Sequence, residues 1–151
     1  MLLDCQLVPQ TIIKPKSFVG LMALYESNYV RLLNLIPDLE CLDGCFRSRV
    51  AGDCDLHVDV LERSRYTATL SLTYYFANGT VRVADPDMIV RAYLDGRLAE
   101  AISLCGHHRH AELRRLARKH GSQLGERWQR NVVLNKWLAY LLEQGHLILE
   151  R

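Results

Sequence analysis

Residues Tyr66 to Phe76 alternate almost without a break between two kinds of side chain. Tyr66, Ala68, Leu70, Leu72, Tyr74 and Phe76 share one face, and Thr67, Thr69, Ser71 and Thr73 share the other. A period of two predicts a strand with one side on a core and the other toward water. The pattern extends over Asp55 to Leu104 as consecutive antiparallel strands. Asp55–Glu62 turns Leu56, Val58 and Val60 inward. Pairing them with Leu72, Leu70 and Ala68 on one face requires a three-residue turn, Arg63-Ser64-Arg65. Asn78-Gly79 predicts a two-residue type I′ turn, which needs positive φ twice. It sets Phe76 opposite Val81 and Tyr74 opposite Val83. Asp85-Pro86-Asp87 breaks the ladder. Met88–Leu94 and Arg97–Leu104 flank Asp95-Gly96, a second turn of the same type, so Tyr93 faces Leu98 and Arg91 faces Glu100. Arg47–Ala51 adds a short edge strand.

The period changes to three and four at both ends of this block. After Ser17, an N-cap residue, Phe18, Leu21, Met22, Tyr25, Tyr29, Leu32, Leu33 and Ile36 trace one apolar stripe that Pro37 stops. A final helix runs from about Glu126 to Glu143, with Leu134, Trp137, Leu138, Leu141 and Leu142 inward and Gly145 at its stop. Ala111–His120 predicts a shorter basic helix around Leu113, Leu116 and Ala117. Residues 1–16 hold Pro9 and Pro15 and no clear period, so they predict an irregular arm. The expectation is an arm at 1–16 and a single α+β domain at 17–151. That domain is an antiparallel five- or six-stranded meander sheet with N-terminal and C-terminal helices packed on one face.

Composition changes little in this picture. A chain of 151 residues, 49% hydrophobic and 24% charged, fits one globular domain. No apolar run approaches the ~20 residues of a membrane span, and no signal peptide is evident at Met1-Leu2-Leu3-Asp4-Cys5. The expectation is a cytoplasmic protein. Its five cysteines, an odd number, read as free thiols. The net charge of +2 is uneven: residues 1–106 carry ten Lys/Arg and thirteen Asp/Glu, and residues 107–151 carry nine and four.

Several clusters are candidates for chemistry. Cys105, His107, His108, His110 and His120 supply imidazole and thiolate, which are zinc ligands. They lack both a Cys-x-x-Cys pair and a His-Glu-x-x-His helix, so the plainer reading is a solvated basic loop. Cys41, Cys45, Cys54 and His57 are a looser set, with His57 on the face opposite Leu56 and Val58. Arg109, Arg114, Arg115, Arg118 and Lys119, continuing to Arg127 and Arg130, form a basic run that can meet phosphates or an acidic partner, or simply face water. Arg91 opposite Glu100 predicts a cross-strand ion pair. With Arg65 and Tyr66 from the neighbouring turn, the same residues would make an anion pocket. Asn28 and Asn131 sit on apolar helix stripes near Gln129. Their amides need partners there, either each other or a ligand.

No Gly-rich phosphate loop, Gly-x-Ser-x-Gly elbow or well-spaced carboxylate pair is present, and no motif implies a cofactor. The leading expectation is a non-enzymatic binding or adaptor module with a protein partner or a second copy of itself. The alternatives are an anion- or nucleic-acid-binding protein using 109–130 and a small enzyme with an Arg65/Arg91/Glu100 pocket.

Motifs spread over residues 18–145 resemble a known family. They are Tyr25-Glu26-Ser27-Asn28-Tyr29 with Leu32, Leu33, Ile36 and Pro37; Glu62-Arg63-Ser64-Arg65-Tyr66-Thr67; Met88, Val90, Arg91, Tyr93 and Asp95 with Ala99-Glu100; and Glu126-Arg127, Gln129, Asn131, Leu134 and Trp137-Leu138. In this order and spacing they resemble the YqiB-like family of bacterial proteins, a domain of unknown function. The resemblance implies a bacterial cytosolic protein and supplies no activity. Residues 1–16 and the His-rich segment 105–120 fall outside the resemblance.

Overall fold

The structure is a computed structural model that describes residues 17–78, 81–105 and 125–149, without the side chains of 76–78, 81–83 and 85. The N-terminal arm, the basic helix at Ala111–His120 and the histidines at 107, 108, 110 and 120 lie outside the described residues. Helix α1 spans Phe18–Leu35. The Ser17 Oγ accepts the Gly20 N–H at 3.0 Å, as an N-cap serine should. Pro37 follows the last helical hydrogen bond, Ile36 N–H to the Leu32 carbonyl at 2.8 Å. Strands β1 (Cys45–Ser48), β2 (Leu56–Arg63), β3 (Thr67–Asn78), β4 (Val81–Tyr93) and β5 (Leu98–Cys105) form one antiparallel meander in sequence order. Helix α2 spans Glu126–Gln144. The fold is α+β, with five strands among the described residues.

The core lies between one sheet face and the two helices. Leu56, Val58, Leu70, Leu72, Tyr74, Met88 and Val90 from the sheet meet Tyr29, Leu32 and Leu35 of α1 and Trp137, Leu138 and Leu141 of α2. Each such side chain stabilises the fold by ~1.5–3 kcal/mol through burial. Two residues expected inside are outside. Phe18 is 76% exposed, because the first turn of α1 extends past the packed stripe, and Tyr66 is 50% exposed in the β2–β3 loop.

Both long hairpins are shifted by two residues from the expected pairing. Leu56 pairs with Tyr74, Val58 with Leu72 and Val60 with Leu70, so the inward faces still match. A β-bulge at Leu61 then turns Glu62 to the outer face opposite Thr69, and Arg63 inward opposite Ala68. The loop is Ser64-Arg65-Tyr66, closed by Ser64 N–H to the Thr67 carbonyl at 2.9 Å. In the next hairpin Asn78 pairs with Val81 and Phe76 with Val83. Asp85-Pro86 does not end the strand: β4 runs through it as a bulge against Tyr74. A period-two pattern is blind to such two-residue shifts, because they preserve the face.

Next to its turn the β4–β5 register is the expected one, with Tyr93 opposite Leu98 and Arg91 opposite Glu100, and it shifts by one residue between Val90 and Ile89. Its turn is not type I′. Arg97, at φ +57°, takes the left-handed conformation, and its N–H returns to the Tyr93 carbonyl at 2.8 Å. The edge strand sits at 45–48 rather than 47–51. Arg63, expected as a turn residue, instead clamps the loop after α1, donating to the carbonyls of Leu39, Glu40 and Leu42 at 2.7, 2.8 and 2.9 Å.

Candidate functional site

Three polar arrangements stand out, and two of them are internal. The first joins the helices to the sheet. Asn28 and Asn131 lie on the inward stripes of α1 and α2, and both are fully buried. Asn28 donates to the Ala99 carbonyl and to Asn131 Oδ1, both at 3.3 Å, while Asn131 Oδ1 also accepts the Ala101 N–H at 2.7 Å. Asn131 donates in turn to the Arg127 carbonyl at 2.9 Å. Asn135 donates to Ser27 Oγ and Asn28 Oδ1, at 2.8 and 3.0 Å, and Arg31 holds the Asn135 carbonyl at 2.9 Å. Arg130 Nε reaches the Ala101 carbonyl at 3.4 Å. Helix side chains thus occupy outward backbone groups of edge strand β5, where another strand would otherwise pair. These amides bond to one another and to backbone groups inside the fold.

The second arrangement is a Ser-His-Asp cluster that sequence reasoning missed. His146 Nδ1 lies 2.9 Å from Ser48 Oγ and Nε2 lies 2.9 Å from Asp53 Oδ2. Tyr74 donates to Asp53 Oδ2 at 2.7 Å, and Tyr140 reaches Oδ1 at 3.5 Å. The Leu147 N–H donates to Ser48 Oγ at 3.2 Å. A neutral imidazole carrying its proton on Nε2 satisfies this whole set: Nε2–H donates to Asp53, and Ser48 O–H donates to Nδ1. Burial works to raise the Asp53 pKa, but hydrogen bonds from Tyr74 and His146 and the Cys54 N–H outweigh it and hold the carboxyl below its ordinary value. Burial, followed by the same carboxylate, drives the Tyr74 phenol strongly upward.

The parts of a nucleophile relay are present, but the His146 and Asp53 side chains are 0% and 2% exposed and Ser48 is 6% exposed. The Leu147 N–H and the His146 imidazole already occupy the Ser48 Oγ. The local cause is the end of α2. Gly145, at φ +96°, reverses the chain, and the His146 N–H returns to the Leu141 carbonyl at 3.0 Å, so the imidazole turns into the core. The Ile148 N–H then bonds the Leu35 carbonyl at 2.9 Å, fixing the C-terminal segment against the end of α1. No spacing rule connects Ser48, Asp53 and His146, so the only hint in the sequence was Gly145 as a helix stop.

The third arrangement is the outer face of the sheet, away from the packed helices. It carries Arg47 on β1, His57, Asp59 and Glu62 on β2, the Thr67–Tyr75 hydroxyl row on β3, Asp87, Ile89, Arg91 and Tyr93 on β4, and Glu100 on β5. Its polar side chains hold one another. Thr73 donates to Asp87 at 3.1 Å, Arg91 Nε donates to Thr69 at 3.3 Å, and Tyr93 donates to Glu100 at 2.7 Å. His57 meets Tyr75 edge-on, with ring centroids 4.7 Å apart. Thr69 and Thr73 are buried beneath these neighbours. Tyr25 of α1 reaches Glu100 at the β5 end, and burial, followed by that carboxylate, pushes its phenol up to about 12. The face is therefore largely polar, and its side chains already hold one another.

Arg91 and Glu100 are opposed in register, but their closest hydrogen bonds go to Thr69 and Tyr93. The expected four-residue pocket does not assemble. Arg65 and Tyr66 line a shallow open cleft of about 300 Å³ with Glu40, Leu94 and Asp95, and neither Arg91 nor Glu100 borders it. The Arg65 guanidinium stacks on the Tyr66 ring at 5.3 Å. Of the basic run, only Arg127 and Arg130 are described, at the start of α2. Among the described residues no group of three His, Cys, Asp or Glu is gathered to hold a metal, including Cys41, Cys45, Cys54 and His57. No described helix is long and apolar enough to cross a membrane.

A comparison with family models matches residues 31–147 to DUF1249, described as a protein of unknown function. The chain belongs to the DUF1249 family. No curated protein and no solved structure matches it. The matched DUF1249 span holds the whole sheet, α2, and all of Ser48, Asp53 and His146.

Proposed function

We propose that this DUF1249 protein is a non-enzymatic binding module whose outer sheet face docks a protein partner. The observation that carries the reading is the contrast between the polar arrangements. The internal amide network and the side chains of the Ser48–His146–Asp53 cluster are buried and bonded to protein groups. The sheet face presents ordered polar side chains to solvent. A broad sheet face of tyrosine and charged side chains over buried threonines suits another protein surface better than a small molecule, which needs concavity. Arg47 and Arg91 face four carboxylates there, Asp59, Glu62, Asp87 and Glu100, and that balance favours a protein over a polyanion. Four free thiols, Cys41, Cys45, Cys54 and Cys105, fit a reducing, cytoplasmic setting.

The test is a photo-crosslinking residue placed at Ile89 in cells, with Val30 on the outer side of α1 as control. Protein adducts from position 89 that disappear on Arg91→Glu are expected. Adducts from position 30 alone would overturn the assignment.

A further inference from the structure

We infer that the partner of this face is a second copy of the chain, packed sheet to sheet about a two-fold axis parallel to β3. This rests on the outer face being a binding surface. Glu62, Thr69, Arg91 and Glu100 lie in one row across β2, β3, β4 and β5. Arg47, His57, Thr73 and Asp87 lie in another row, across β1 to β4. A two-fold axis along β3 keeps each row in place and exchanges the strands on either side of it. The β2 strand of one copy then lies over β4 of its partner, and β4 over β2.

In that arrangement Glu62 faces the partner's Arg91 and His57 faces the partner's Asp87, each twice by symmetry. Such self-complementarity is what an isologous interface requires. Sheets packed face to face sit ~10 Å apart, a gap that glutamate and arginine side chains span from opposite sides. The β3 row lies on the axis, so Ser71 lies over its own copy. Asp59 falls over the partner's Ile89. Its carboxylate is already engaged by the Cys45 thiol, whose pKa that hydrogen bond raises.

The bulge at Leu61 is what creates the pairing. Without it, Glu62 would point into the core, and the row opposite Arg91 would lack its carboxylate. The face, five strands wide at ~4.8 Å and about eight residues long at ~3.3 Å each, offers on the order of 600 Å² per copy, near the low end for a specific dimer.

The experiment is sedimentation equilibrium of the full chain at concentrations up to about 1 mM, where a modest interface is populated. The expected mass is twice the 17.4 kDa chain at the upper concentrations. Arg91→Glu and Glu62→Arg should each weaken association by at least ~10-fold. An equimolar mixture of the two variants should pair again, because both contacts between unlike chains become attractive. One chain carrying both substitutions should also dimerise. The mixture and the double variant separate a misfolded single variant from a repelled one.

A wild-type chain that stays at 17.4 kDa throughout overturns the inference. So does a dimer that Val30→Glu dissociates and Arg91→Glu does not. A monomer that still crosslinks from Ile89 to another protein removes the second copy and leaves the binding reading standing. A monomer without such adducts removes both.

Discussion

The Asn131 side-chain oxygen accepts the backbone N–H of Ala101 at 2.7 Å, so a helix side chain sits where a sixth strand would pair. The same oxygen takes the Asn28 amide, and Asn131 itself donates to the Arg127 carbonyl. Replacing it with an apolar residue of similar size leaves the buried Ala101 N–H without its partner and removes one of the two acceptors of the Asn28 amide. Asn131→Leu should cost about 2–4 kcal/mol in urea unfolding, while Gln129→Leu on the same helix should cost under ~0.5 kcal/mol.

Asp53 gives the fold a dependence on acid. Its carboxyl is held below the ordinary value in the folded chain, so the unfolded chain takes up the proton first. Its contribution is fully present above the unfolded value, about 4, and is lost as the pH falls from there through the folded value. Asp53→Asn should flatten the stability profile below about pH 4. At neutral pH the variant should lose about 3 kcal/mol, because His146 and Tyr74 are left facing a weaker acceptor inside the core. Chemical denaturation at a series of pH values measures both effects.

Ser48 is a poor nucleophile in the folded chain. Its Oγ is tied to His146 and to the Leu147 N–H, and the residue is 6% exposed. A fluorophosphonate probe should leave Ser48 unlabelled at neutral pH. Stoichiometric labelling seen by mass spectrometry would make the cluster catalytic and the binding reading wrong.

Much of this fold was legible in the sequence. The alternation at 66–76 identifies β3 and its core face, and the two apolar stripes identify both helices. Asn28 and Asn131 stood out because amides on such stripes must bond something. The two-residue shifts of both long hairpins left no mark, since such a shift keeps every side chain on its face, and the bulge that turns Glu62 outward has no residue signature at Leu61. Arg31 and Arg63 were hidden for another reason: their partners are backbone carbonyls, which every residue carries. Ser48, Asp53 and His146 meet only because Gly145 reverses the chain beside β1, a tertiary event without a local pattern.

Arg97 holds a conformation that glycine adopts more easily, with its guanidinium over the Tyr29 ring at 5.1 Å. Arg97→Ala keeps the strain and loses the stacking, whereas Arg97→Gly loses the stacking and relieves the strain. The glycine variant should be the more stable of the two by about 1 kcal/mol in thermal unfolding. Equal stabilities would place the turn in another conformation.

Hydroxyl-radical footprinting of the full chain across a concentration series tests the outer face as the binding surface most directly. Tyr75, Ile89 and Tyr93 should become protected as concentration rises, while Phe18, Val19 and Val30 on α1 stay reactive. Protection confined to the α1 residues, with the sheet face reactive throughout, would contradict the account.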